Sequence, residues 1–141
     1  VAKQNSNSFD NISFILDDAE EFKLDSKFDC ITASYLPKYC DPKVLVKNCI
    51  NHLKPDGKII FHDFTYPKNP VVRGLWNLFL TFLRLVICFI PSWKEALIGL
   101  PKLIRSTKWL DSYSDVMKKN KLRVNQQYLT CGASAILTGT K

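Results

Sequence analysis

Glycine is scarce in this chain. Five stand among 141 residues (Gly57, Gly74, Gly99, Gly132 and Gly139), and no two are spaced for a GxGxxG turn or a P-loop. A phosphate or carboxylate is therefore not cradled on a Gly-rich loop here. Such a loop is expected upstream of Val1, because the opening Val-Ala-Lys-Gln-Asn-Ser-Asn reads as the last turn of a helix already under way. Histidine is scarcer still, with only His52 and His62. The five cysteines (Cys30, Cys40, Cys49, Cys88 and Cys131) are odd in number, far apart and without CxxC spacing. That pattern argues against a zinc site and for buried, reduced thiols in a cytosolic protein. No signal peptide opens the chain, and no metal is expected.

What is present is an ordinary globular composition. Hydrophobic residues make up 46% and charged residues 23%, which excludes the disordered class. The length suits one domain with a single core. The net charge of +7 gathers in two clusters, Lys102, Arg105 and Lys108, then Lys118, Lys119, Lys121 and Arg123. Such runs are solvated faces more often than binding sites, although they also suit lipid headgroups or nucleic acid.

The most informative stretch is Leu53-Lys54-Pro55-Asp56-Gly57-Lys58-Ile59-Ile60-Phe61-His62-Asp63-Phe64. It reads as a helix end at Pro55, a tight Asx-type turn with a residue free to take positive φ, then a strand. The continuous Ile59-Ile60-Phe61 run predicts a parallel strand covered on both faces. Ligands of open α/β sheets sit beyond the carboxyl ends of such strands, so His62, Asp63 and Thr65-Tyr66-Pro67 stand where chemistry is expected. His62 and Asp63 should face opposite ways.

The remaining elements follow from pattern. Asn11–Leu16 is predicted as a short apolar strand ending in acids, and Phe28–Ser34 as a second strand. Asp41-Pro42 starts a helix, with Asp as N-cap and Pro in the first turn, and Leu45, Val46, Cys49, Ile50 and Leu53 give it one apolar face. Asp111–Asn120 reads as a polar helix. Leu122–Leu129 and Ser134–Thr140 read as an antiparallel pair. Between them Pro70–Trp93 is apolar, with Arg73, Asn77, Thr81 and Arg84 sharing one narrow face. It is too short, and has too central an Arg, for a membrane span. A lid helix buried on the sheet, a wall for an apolar substrate, and a face dipping into a bilayer all fit it. Lys94–Arg105 reads as a second lid helix that Pro101 kinks or begins.

The segments ILDDAEEF, FDCITASY, LKPDGKIIFHDFTYPKNP, the apolar insert and LTCGASAILTG, in that order, resemble the ubiquinone/menaquinone biosynthesis C-methyltransferases, a group of class I S-adenosylmethionine-dependent methyltransferases. The resemblance runs from about Ile12 to Gly139. It implies the later half of a Rossmann-like α/β sheet, mostly parallel with a C-terminal antiparallel hairpin, in a single partial domain over residues 1–141. The lid insert occupies residues 70–105. The first strand, its Gly-rich loop and the acid for the ribose are implied to lie upstream.

By the same resemblance S-adenosyl-L-methionine is the methyl donor. Asp18 and Ala19 hold its adenine, carboxylate to exocyclic amine and backbone N–H to ring nitrogen, while Ser34 lines its methionine portion. Asp17 stands where relatives often carry Gly. Tyr35-Leu36-Pro37-Lys38-Tyr39 replaces a Phe-Gly-Leu-Arg-Asn run, so Lys38 is a partial stand-in for an Arg whose planar fork it lacks. Gly99 and Lys102 stand where relatives carry a tyrosine and a glutamate. The departures fall on the acceptor side. Methyl transfer needs in-line approach and a group to deprotonate or polarise the acceptor; by position the candidates are His62, Tyr66 and Lys38. His62 equally suits a structural role, and His52 is expected to cap or to face solvent.

Three readings follow. One is a methyltransferase for a hydrophobic small molecule such as a quinone precursor, cytoplasmic or peripheral at the membrane, with residues 1–141 alone inactive. Another is a non-catalytic module of the same fold that binds a membrane surface, with contact through residues 71–90, or a protein partner. The third, a nucleic-acid binder, is disfavoured because Trp76, Phe79, Phe82 and Phe89 do not interleave with the Lys and Arg residues.

Overall fold

The computed structural model describes residues 10–87 and 91–141, with side chains for all of these except 84–87 and 91–98. The helical turn expected at Val1–Asn7, and the apolar side chains expected at Leu85–Ile90, lie outside the described residues. The order of elements is β1 (Phe28–Ser34), α1 (Pro42–Asn51), β2 (Leu53–Phe64), α2 (Pro70–Ile87), α3 (Pro91–Ser106), α4 (Trp109–Lys119), β3 (Arg123–Leu129) and β4 (Ser134–Thr140). The four strands form one sheet in the order β1-β2-β4-β3. β1 runs parallel to β2, and β4 is antiparallel to both β2 and β3. The α/β Rossmann-like class is as expected, with a C-terminal hairpin; among the described pairings one is parallel and two are antiparallel.

Local chemistry explains most boundaries. Asp41 accepts from the N–H groups of Lys43 (2.7 Å) and Val44 (3.2 Å), which satisfies two of the orphan donors that begin α1. Leu45, Val46 and Cys49 of α1 are buried against Ile59, Phe61, Trp109, Tyr113, Met117, Ala135 and Leu137. Thus α1 and α4 cover one face of the sheet. Each buried Leu or Ile contributes about 1.5–3 kcal/mol.

Four expectations need correction. Residues Asn11–Leu16 form no strand; they are extended and exposed, with Leu16 fully open to solvent. An isolated apolar run gains ladder hydrogen bonds only with a partner, and none is described beside it. The helix ends at Asn51 rather than at Pro55. The Pro55-Asp56-Gly57 turn is a bulge within β2, where the register with β1 jumps from Phe28↔Leu53 to Cys30↔Lys58. Asp56, not Gly57, takes the positive φ of 60°. Gly57 is required by space instead, because a Cβ there would lie 3.0 Å from the Lys54 carbonyl oxygen and 3.2 Å from that of Phe28.

Third, β2 alternates instead of being covered on both faces. Ile59, Phe61 and Asp63 are buried, while Ile60, His62 and Phe64 are half-buried. The second face, which carries Thr32, Ser34, Ile136 and Thr138 beside them by register, has no helix over it among the described elements. Fourth, α2 is not buried on the sheet. It packs chiefly on α3, and Val71, Leu75, Leu78, Phe79 and Phe82 face outward. Pro101 lies inside α3.

Candidate functional site

Ser34 is opposite His62 across the parallel pair, so the carboxyl ends of β1 and β2 deliver the chain to one rim. Beyond Ser34 the backbone reverses at Tyr35, whose φ is 61°, and passes through a single 3-10 turn, Pro37–Tyr39, to the Asp41 cap. This loop is fastened from below by a buried ion pair. The Lys38 ammonium lies 2.8 Å from the Asp63 carboxylate, with side-chain exposures of 2% and 0%. It also donates to the Tyr35 carbonyl (2.8 Å), while the Lys38 and Phe64 backbone N–H groups donate to Asp63 (3.2 and 2.7 Å). The rings of Tyr39 and Tyr35 flank the ammonium at 4.7 and 5.6 Å. Such a charge pair survives burial only when its remaining hydrogen-bonding capacity is met, as it is here.

The acidic turn reaches the same rim. The Asp41 N–H donates to the Glu20 carboxylate, and the Asn48 amide donates to the carbonyls of Glu20 and Phe22, which docks residues 20–22 along α1. Asp17 accepts from the Asp18 N–H (2.9 Å), and one Asp18 oxygen accepts from the Glu20 N–H (2.8 Å). Asp17 is thereby occupied in shaping the turn. Asp18 is exposed, with its second carboxylate oxygen unused by these bonds, and Ala19 is half-buried beside it. Through Glu20 and Asp41 the acidic turn is tied to the start of α1, while Lys38 ties the loop after Ser34 to Asp63.

The acceptor-side candidates separate. His62 stands on the uncovered face with its ring edge-on to Tyr35 at 5.2 Å, whereas Asp63 points into the core, as strand alternation requires. Tyr66 lies past the end of β2 and lines a cavity of about 500 Å³ with Thr65, Asn69, Trp109, Asp111, Tyr128 and Cys131. The Arg73 and Arg105 guanidiniums sit 6.0 and 5.9 Å from its ring centroid. Asn77 accepts from Arg105 (2.6 Å), and the Trp76 ring meets Tyr66 edge-on at 5.8 Å. Tyr66 thus meets side chains of both α2 and α3. Gly99 and Lys102 are exposed on α3.

Several anchors escaped sequence reasoning. The Trp109 indole N–H donates to the Phe64 carbonyl (2.7 Å) and the Tyr113 hydroxyl to that of Cys40 (3.3 Å), tying α4 to both ends of the rim. Burial raises the Tyr113 hydroxyl above its ordinary value, helped by the nearby Cys40 and Glu20. His52 does cap: its Nε2 accepts from the Leu24 N–H (3.1 Å) and its Nδ1 faces the Asn48 carbonyl (2.9 Å). No cluster of metal-ligating side chains exists among the described residues.

Comparison with known proteins agrees with this geometry. A family model described as a methyltransferase domain matches residues 1–61. The ubiquinone/menaquinone biosynthesis C-methyltransferase of Hahella chejuensis is 26% identical over 136 residues, covering 94% of this chain and 55% of that protein. The demethylmenaquinone methyltransferase of Lactobacillus johnsonii is 28% identical over 122 residues, covering 83% of this chain and 49% of its own. The chain thus spans about half the length of the relatives it matches. An O-methyltransferase family protein from Burkholderia thailandensis superposes over 99% of this chain and 40% of its own, with a TM-score of 0.62 at 14% identity, a likeness of fold alone. Sheet and sequence agree in kind: the chain has the fold of the methyltransferases and is similar in sequence to the ubiquinone/menaquinone biosynthesis C-methyltransferases.

Proposed function

We propose that this chain supplies the later half of an S-adenosylmethionine-dependent methyltransferase acting on a hydrophobic small molecule such as a quinone precursor. The observation that supports the reading is the carboxyl rim of the sheet, where Ser34 ends β1 opposite His62 and the acidic turn is tied through Glu20 to the Asp41 cap of α1. The donor supplies a sulfonium-borne methyl group. Asp18 and the Ala19 N–H hold its adenine, and Ser34 lies along its methionine portion. The cavity lined by Tyr66, Trp109 and Tyr128 takes the acceptor ring, and Tyr66 accepts or polarises the acceptor's proton, while His62 stands outside that lining.

Lys38 takes a different part from the one its position first suggests. With its ammonium committed to Asp63 and the Tyr35 carbonyl, it positions the loop that follows Ser34 and holds no proton for the reaction. Domain integrity follows the same reading: residues 1–141 act as one partial domain, with residues 70–105 as its lid.

Calorimetric titration with S-adenosylmethionine tests the proposal. In a version of the protein as long as its relatives, Asp18→Ala should weaken binding by ~1–3 kcal/mol, the cost of an unmade hydrogen bond in a binding site. An unchanged dissociation constant removes Asp18 from the site. Residues 1–141 alone should show neither micromolar affinity nor methyl transfer, and finding either would overturn the view that the donor needs a Gly-rich loop these residues lack.

A further inference from the structure

The cavity beside Tyr66 has aromatic walls and a ring of positive charge around them. Tyr66, Trp109 and Tyr128 line it, and its volume of about 500 Å³ suits a small molecule. Lys68 and Lys108 line the same space, and both are exposed to solvent. The guanidiniums of Arg73 and Arg105 flank the Tyr66 ring. Over residues 67–110 the sequence has seven basic residues and one acid, Glu95, and four of those seven gather here.

These cations are not neutralised by the protein. Among the described residues none of the four forms an ion pair, and Arg105 donates to the uncharged Asn77 amide. Asp111 is the one carboxylate in the lining, and it pairs with none of them. The first turn of α4 borders the same space without a side-chain cap, so its partial charge adds to the same sign. Like charges gathered round an aromatic pocket repel one another until an anion enters. A neutral ring would fill the walls and leave that field unanswered. We infer that the acceptor taken by this cavity is an aromatic ring bearing an oxyanion, a carboxylate or a phosphate, held by Lys68 and Lys108 while the ring lies against Tyr66, Trp109 and Tyr128. This rests on the reading of the cavity as the acceptor's place, and narrows that acceptor from a hydrophobic small molecule to an aromatic acid.

Equilibrium dialysis of the chain tests the inference without the methyl donor, using a hydroxynaphthoate, the neutral hydroxynaphthamide of the same shape, and naphthyl phosphate. The better of the two anions should bind about ten-fold more tightly than the amide, and that margin should shrink several-fold at high salt. Whichever anion leads identifies the oxyanion. Lys68→Gln with Lys108→Gln, both at exposed positions, should erase the margin. Lys118→Gln with Lys121→Gln, in the other basic cluster, should leave it as it was. Tyr128→Ala should weaken all three ligands alike, since it removes a wall and no charge. Equal affinity for the anions and the amide overturns the inference, as does binding of none of the three. So does a margin that survives the loss of Lys68 and Lys108, or affinities indifferent to Tyr128→Ala. Each of these failures leaves S-adenosylmethionine binding untouched, whereas a donor titration indifferent to Asp18→Ala would strike the methyltransferase reading and leave this margin as measured.

Discussion

Lys38 and Asp63 show how much one pair of residues can hold. Removing the ammonium alone, by Lys38→Met, strands a carboxylate with no exposure, and the cost should be about 3–5 kcal/mol. Lys38→Met with Asp63→Asn should recover more than half of that, since the amide oxygen still accepts from the Phe64 N–H. Urea unfolding of the two variants decides it; equal losses would mean that the pair is not coupled. Cys49 carries the pH dependence of the core. Burial pushes its thiol from an ordinary 9.0 up to about 12. The unfolded chain therefore releases this proton first. Stability should be flat in this group below pH 9 and then fall by up to about 1.4 kcal/mol per pH unit towards pH 12. Tyr113 and Cys40, both raised chiefly by burial, act in the same direction. Thermal melts across that range should be steeper for the wild-type chain than for Cys49→Ala.

At the scale of elements, legibility followed the range of the forces that shape each one. α1 begins where Asp41-Pro42 says it does because capping is a matter of three residues, and Asp41→Ala should cost about 1 kcal/mol in the same urea assay. β1 matches its expected Phe28–Ser34 bounds, its β-forming sequence being paired along its length with β2. Asn11–Leu16 has an equally apolar pattern and fails as a strand, since a ladder needs a neighbour that pattern alone does not provide. The bulge in β2 was visible as turn chemistry but not as an interruption inside a strand; only pairing with β1 shows that the chain returns to register. At the rim, Ser34 was legible as the last residue of β1 and Tyr66 as lying past the end of β2, whereas Asp18 follows no strand at all. The commitment of Lys38 to Asp63 was not, because it joins positions 25 residues apart on two elements. Gly57→Ala should lower stability by about 1–3 kcal/mol, with its Cβ forced against the Lys54 carbonyl, whereas propensity alone would predict a gain.

On the scale of the whole molecule, the sheet is lopsided. One face is sealed by α1 and α4, and the other offers Ile60, His62 and Phe64 only half-covered. Hydrogen exchange should mirror this. Amides of β2 and β4, at the centre of the sheet, should be the slowest, and those of residues 10–22 should exchange orders of magnitude faster; uniform protection along the chain would contradict the packing described. The charge is lopsided too, with six of the seven net positive charges falling between Pro67 and Leu110.

Cys30 stands exposed on β1, the outermost of the described strands, where a buried thiol was expected. In air, two molecules meeting along this margin bring a pair of unhindered sulfurs together. Storage without a reductant should accordingly yield a covalent doublet on a non-reducing gel, which Cys30→Ser would diminish.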